Sequence, residues 1–205
     1  MPGYTELTLG ANDDGRRVDR ILRRALPEAS LGAIYRAIRT GAVRINGGRT
    51  RAESRAAAGD ILRLPAWLPG ATTVGRPDRP TGSVAGNLGD RVLYRDGDIV
   101  VINKCAGELT HGAGSLAEAV IEYLQGSLET GLSFTPGPLH RLDRNTSGAI
   151  AFSASLNGAQ SLSKQLHDRK VRKTYLALVS ATVFATDSIR WTSRLLRDAS
   201  NRRTR

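Results

Sequence analysis

A single cysteine, Cys105, in 205 residues leaves no disulfide framework and fits a reducing compartment. Read alone, it is expected to be a small buried apolar side chain. Three histidines give no cluster at metal-ligand spacing, and the chain has neither a Walker-type loop nor a GxGxxG after a strand. No metal and no cofactor is therefore indicated, and His111 and His167 read as structural or surface residues. Aromatic residues reach only 5% and no apolar run is long enough to span a bilayer. Residues 1–10 lack a basic start followed by an apolar signal core. Cytoplasmic residence, no membrane and a monomer are the expectation.

What the chain does have is arginine, with only four lysines among its thirty basic residues. The net charge of +11 calls for an anionic partner, which for such a chain is most often nucleic acid. Between residues 14 and 64 twelve arginines, including Arg36, Arg39 and Arg44, face five acids. That quarter of the length carries most of the excess charge, which favours RNA. An acidic membrane surface competes as partner, but the segment lacks interleaved Trp and Phe anchors.

The periodicity divides the chain. Residues 1–13 read as an edge strand or loose terminus. Val18, Ile21, Leu22, Ala25 and Leu26 predict a helix that Pro27 stops. Ser30 is placed to cap a second helix bearing Leu31, Ile34, Tyr35 and Ile38, closed by Gly41. An Asn46-Gly47 turn and Ile61-Leu62-Arg63-Leu64 complete a small β-ribbon. Residues 66–89, rich in proline and glycine, read as a linker that leaves the two modules mobile relative to each other. From Asp90 strands dominate: Val92-Leu93-Tyr94, Ile99-Val100-Val101-Ile102 after the Asp96-Gly97-Asp98 turn, Ala149-Ile150-Ala151-Phe152, and residues 174–179. Ser115 and Ser155 are placed to cap two further helices. The mixture predicts an α+β domain.

The chemistry concentrates in His140-Arg141-Leu142-Asp143-Arg144-Asn145-Thr146-Ser147-Gly148, where one carboxylate stands between two guanidiniums. In an extended segment, alternation puts Arg141 and Asp143 on one side and His140 and Leu142 on the other. A surface turn with solvated arginines is the bland alternative.

The nonapeptide resembles the HRLDxxTSG signature of the RluA-type pseudouridine synthases. Val101-Ile102-Asn103-Lys104-Cys105-Ala106-Gly107, continuing to His111-Gly112, is similar to the family's VxNKPAG…HG stretch, with Cys105 where proline is usual. Val171-Arg172-Lys173-Thr174-Tyr175-Leu176-Ala177-Leu178-Val179 is similar to its KxYxALV strand. Residues 16–64 resemble the S4 RNA-binding module of the large-subunit ribosomal RNA pseudouridine synthase C subgroup. The resemblance implies an S4-like module at 14–65, a linker at 66–89 and a catalytic domain at 90–205 built on a mainly antiparallel sheet. It implies a cofactor-independent isomerase acting on large-subunit ribosomal RNA.

By the same resemblance, Asp143 is the nucleophile in an arginine-rich cleft. Arg141 fills the place of an extruded uridine, Tyr175 packs against the uracil, and Asn103 and Lys104 shape the cleft and, with Arg144, meet RNA. The family also continues to a late segment whose arginine pairs with the aspartate, and no QIR-like string occurs here. The expectation is therefore a fragment or truncated form, with an inert RNA-binding protein as the alternative to an enzyme.

Overall fold

The structure is a computed structural model that describes residues 3–74, 88–125, 131–178, 197–198 and 203–204. Met1–Val171 forms one compact unit and Arg172–Arg205 a second.

In the first unit, β1 (Tyr4–Thr8) leads through a 3-10 turn (Ala11–Asp13) to α1 (Val18–Ala25) and α2 (Leu31–Arg39). Val18, Ile21 and Leu22 bury one face of α1, and Ile34, Ala37 and Ile38 one face of α2, as a 3.6-residue period requires. Ser30 caps α2 through its hydroxyl, which accepts from the Ala33 N–H at 3.2 Å. Gly41 follows the helix with φ +74°, a conformation cheap only for glycine. Then come β2 (Arg44–Ile45), the Asn46-Gly47 turn with both residues at positive φ, β3 (Gly48–Arg49) and β4 (Ile61–Pro65). The sheet order is β1-β4-β2-β3, with Tyr4 opposite Pro65 and Thr8 opposite Ile61, so residues 4–8 are an edge strand.

One core joins this sheet to both helices and extends past β4 to Leu68 and Ala71. The stretch expected as a linker from residue 66 thus begins inside the first module. Two apolar side chains among its prolines are enough to seat its opening turns, which composition hides.

A 3-10 turn (Leu88–Arg91) opens the second half. It is followed by β5 (Val92–Arg95), β6 (Ile99–Lys104), α3 (Leu116–Leu124), β7 (Gly148–Ser153) and α4 (Leu156–His167). The three strands form an antiparallel sheet in the order β5-β6-β7. Lys104 lies opposite Gly148, and Ile99 opposite Ser153. Val100, Ile102, Ile150 and Phe152 pack against Leu116, Val120 and Leu124 of α3. The Asp96 carboxylate shapes the β5–β6 turn, accepting from the N–H groups of Asp98 and Ile99 at 2.8 Å.

Ser155 caps α4, accepting from the Gly158 N–H at 2.9 Å. Ser115 stands at the start of α3, but its hydroxyl makes no capping bond. Instead the Glu118 carboxylate reaches back to the Gly114 N–H at 2.8 Å.

Two expectations need correction. The halves of the first unit, expected to stand apart across a linker, are in contact, since Asp13 of the first module is buried against Leu132 and Ser133 of the second. The strand expected over 174–179 is not formed among the described residues: 172–178 carry no ladder, and Leu176 is fully exposed. Strand-forming residues make a strand only where another edge pairs with them, and no described strand does so here. Residue 179 lies outside the described residues. Within the second unit, β8 (Arg197–Asp198) pairs antiparallel with β9 (Arg203–Thr204). Among the described residues no helix is long and apolar enough to cross a membrane.

Candidate active site

Residues 138–140 run beside β7, where Leu139 N–H donates to the Ala151 carbonyl at 2.8 Å. His140 Nε2 accepts from the Ala151 N–H at 3.1 Å, so the hydrogen-bond geometry assigns Nε2 as unprotonated. The chain then leaves the sheet. Leu142 turns into the core while Arg141 and Asp143 are exposed, which is the alternation expected of the sequence.

The loop that carries Asp143 is held from beneath by Lys104. The β6 row facing the core is Val100, Ile102 and then Lys104, whose side chain has no exposed surface. Its Nζ donates to four backbone carbonyls: Thr146 at 2.8 Å, Arg144 at 2.9 Å, and Asp143 and Cys105 at 3.1 Å. An ammonium removed from water is costly unless oxygen atoms replace its hydration, and here four carbonyl dipoles do so. A residue at zero exposure cannot touch RNA. Lys104 is therefore corrected from an RNA contact to the residue that shapes the loop.

Other bonds fasten the same loop. The Thr110 hydroxyl donates to the Leu142 carbonyl at 3.0 Å, and Thr146 N–H donates to the Asp143 carbonyl at 3.0 Å. Arg144 and Gly107 clasp each other: the Gly107 N–H donates to the Arg144 carbonyl at 2.8 Å, and Arg144 Nε to the Gly107 carbonyl at 2.9 Å. Gly107 has φ +90°, which only glycine adopts cheaply.

Two residues that motif reading passes over, Arg91 and Glu108, anchor the turn after β6. The Arg91 guanidinium forks onto both Glu108 oxygens and donates to the Asn103 carbonyl at 3.0 Å. Glu108 also accepts from the Cys105 N–H at 2.9 Å. Burial pushes the Glu108 carboxyl up, but the Arg91 guanidinium and the Cys105 amide outweigh it and hold the group below its ordinary value. Cys105 itself is exposed, not buried. Alternation gives Lys104 the inward position and turns its neighbours Asn103 and Cys105 outward.

Among the described residues, every oxygen this loop gives its scaffold is a backbone oxygen. The Asp143 carboxylate takes part in no hydrogen bond or ion pair among the described residues, and Arg141 is likewise unpartnered there. Arg144 uses its Nε on Gly107 rather than on Asp143. Among the described residues, the carboxylate is exposed together with Arg141, Arg144 and Asn145, and no described cavity encloses it. Tyr175 is exposed and belongs to the second unit.

The arginine-rich module carries its own concavity. A cavity of about 850 Å³ is lined by Arg36 and Arg39 of α2 together with Tyr35, Arg49 and Arg51. Arg44 does not join them, since its guanidinium donates to the Gly41 and Gly47 carbonyls. On the helix that faces this cavity, Tyr35 donates its hydroxyl to Asp19, which Arg17 also grips in a fork. Burial raises the Asp19 carboxyl, but these two partners overcome it and leave the group below its ordinary value.

Residues 98–203 match a protein family described as RNA pseudouridylate synthase. Ribosomal large subunit pseudouridine synthase C of Salmonella typhimurium strain LT2 is 35% identical over 178 residues, covering 87% of this chain and 55% of the relative. The same figures hold for the protein of that name from Escherichia coli strain K12. The Yersinia pestis protein is 35% identical over 173 residues, covering 84% of this chain and 53% of its own. The chain spans about half the length of the curated relatives it matches. Among solved structures, Human RNA Pseudouridylate Synthase Domain Containing 4 matches at 25% identity over 40% of this chain and 31% of its own, with a TM-score of 0.34.

Proposed function

Since the chain belongs to the RNA pseudouridylate synthase family, we propose that it isomerises uridine to pseudouridine in large-subunit ribosomal RNA, with Asp143 as the nucleophile. The observation that carries this reading is the Asp143 carboxylate itself, unpartnered among the described residues on a loop whose backbone is clamped by Lys104. An acid that served structure would be using its oxygens; among the described residues this one gives up neither, which supports a role toward an incoming group.

The reaction asks for little else. The bond between ribose carbon and base nitrogen breaks, the base turns, and a bond to base carbon forms. The proton lost from that carbon is balanced by the one gained at nitrogen. No oxidant, reductant or cofactor enters the balance, and a carboxylate serves whether it attacks the ribose or the base. The target base must leave its stack, at a cost of a few kcal/mol. Arg141, exposed beside Asp143, is assigned to the vacated place, because its planar guanidinium stacks and bridges phosphates. Tyr175 is assigned to packing against the uracil, where an aromatic face contributes roughly 1–3 kcal/mol. Arg144 and Asn103, both exposed, contact the RNA backbone near the loop.

The first module is read as S4-like, two helices followed by a β-ribbon, with Arg36 and Arg39 on RNA phosphates. Specificity for structured RNA rests on shape more than on any one base contact. A second reading, an RNA-binding protein without turnover, is favoured by the open exposure of Asp143.

Incubation of this chain with ribosomal RNA lacking the modification, followed by position-by-position mapping, separates the two. Pseudouridine formed by the wild type and lost in Asp143→Asn, by at least about a thousandfold for a missing nucleophile, is the expected result. Retained turnover in that variant would remove Asp143 from its role. RNA binding by the wild type with no product would establish the second reading.

A further inference from the structure

Asp13 ends the 3-10 turn between β1 and α1, and its carboxylate has no exposed surface. Its oxygens accept from four donors. One, the Gly10 N–H at 3.1 Å, lies within the turn. The other three come from the opposite half of the unit: the Leu132 N–H at 2.9 Å, the Ser133 N–H at 3.1 Å and the Ser133 hydroxyl. Arg16 Nη1 closes the group by donating to the Ser133 carbonyl and hydroxyl, each at 2.8 Å.

Asn12 makes a second tie, its Oδ1 accepting from the Leu156 N–H of α4 at 2.8 Å. The backbones approach so closely that a Cβ on Gly131 would stand 2.7 Å from that of Asn12.

A buried carboxylate persists only where donors replace its water. Three of the four donors to Asp13 belong to the other half, so separating the halves would strip this charge of most of its partners. We infer that Asp13 is a docking residue: it fixes the arginine-bearing module on the sheet half, holding the Arg36–Arg39 cavity and the Asp143 loop at one separation. An RNA that spans both surfaces is then selected by its fold, because only certain folds place a phosphate run and a uridine at that spacing. The selection rests on the function proposed above; the docking does not.

Amide hydrogen exchange on the full chain tests the docking. In the wild type the Leu132, Ser133 and Leu156 amides are expected to be protected. In Asp13→Ala, exchange at Leu132 and Ser133 should rise by about tenfold or more, the effect of losing bonds to a charged acceptor. Protection at Ile21, Leu22 and Ile34 should persist, showing that the module stays folded. Should Asp13→Ala unfold the module, Asn12→Ala removes the Leu156 tie and should raise exchange there several-fold. Unprotected Leu132 and Ser133 in the wild type, or unchanged exchange in both variants, would overturn the inference.

The positioning is read from turnover of a long folded ribosomal RNA fragment against an isolated hairpin holding the same target. Asp13→Ala should raise KM on the fragment and leave kcat and the hairpin unchanged. An equal loss on both substrates would show general damage and refute the positioning. If the wild type turns over neither RNA, the proposed function fails while the exchange result still decides the docking.

Discussion

Replacing Lys104 with methionine tests the loop at its support. Methionine keeps an unbranched apolar stem in the space beneath the loop and removes only the ammonium. Four carbonyls at 2.8–3.1 Å lose their donor. Three N–H bonds shared among them, each worth about 1.5–3 kcal/mol with a charged partner, give a gross loss of several kcal/mol. Part of this is offset, because the variant is spared the desolvation of a buried cation, itself several kcal/mol. The net destabilisation should be about 3 kcal/mol, large for a single substitution. For a chain of this size that lowers Tm by roughly 6–12 °C.

The loop should also loosen locally. Exchange at the Thr146 and Gly107 amides should accelerate beyond what global unfolding explains, and uridine turnover should fall further than the folded fraction does. Circular dichroism melts read the first effect and exchange the second. A Lys104→Met protein within about 0.5 kcal/mol of wild type, with unchanged exchange at Thr146, would refute the claim that this lysine organises the loop.

Glu108→Gln removes the carboxylate that Arg91 grips. The folded-state value of Glu108 is depressed, so its contribution is fully present above the ordinary value of 4.5 and is lost as pH falls through the lower folded value. Urea unfolding should show the variant about 1 kcal/mol less stable at neutral pH, with the difference shrinking at pH values below about 4.5; a constant difference across that window would contradict the assignment. Charge reversal at Arg36 and Arg39 together should weaken RNA binding and flatten its dependence on salt, by about 0.7–0.9 in logarithmic slope for each phosphate no longer neutralised. An unaltered slope would place the RNA elsewhere. Gly158→Ala should be strongly destabilising, because a Cβ there would collide with the backbone carbonyl of Asp98, and a melt unchanged from wild type would mean that α4 does not sit against that turn.

Much of the fold was legible because its signals are local. The buried stripes of α1 and α2, the Ser30 cap, Gly41 and the Asn46-Gly47 turn all follow from spacing and backbone preference. The outward pairing of Arg141 and Asp143 followed from alternation. What escaped depends on partners distant in sequence. Asp13 and Ser133 are 120 residues apart, and nothing near Asp13 marks its carboxylate as buried. Residues 174–179 have the apolar make-up of a strand, yet composition cannot supply the neighbouring edge. Lys104 was within reach: it continues the Val100-Ile102 row, and a lysine in the inward phase of a strand has to find oxygen atoms inside.

The same split between local and distant signals explains how the loop is built. A carboxylate that attacks substrate cannot also hold its own loop in place, since each oxygen given to a structural donor is withdrawn from the reaction. Under the role proposed for Asp143, order there must come from groups that the chemistry does not use, and the backbone carbonyls of residues 143, 144 and 146 are such groups. Carbonyl oxygens converging in a buried space require a donor with several N–H bonds and no fixed plane. An ammonium on a flexible stem meets that need, whereas a guanidinium's planar fork suits paired oxygens, as at Glu108. The chain is rich in arginine and poor in lysine, and it places a lysine where the geometry is not planar.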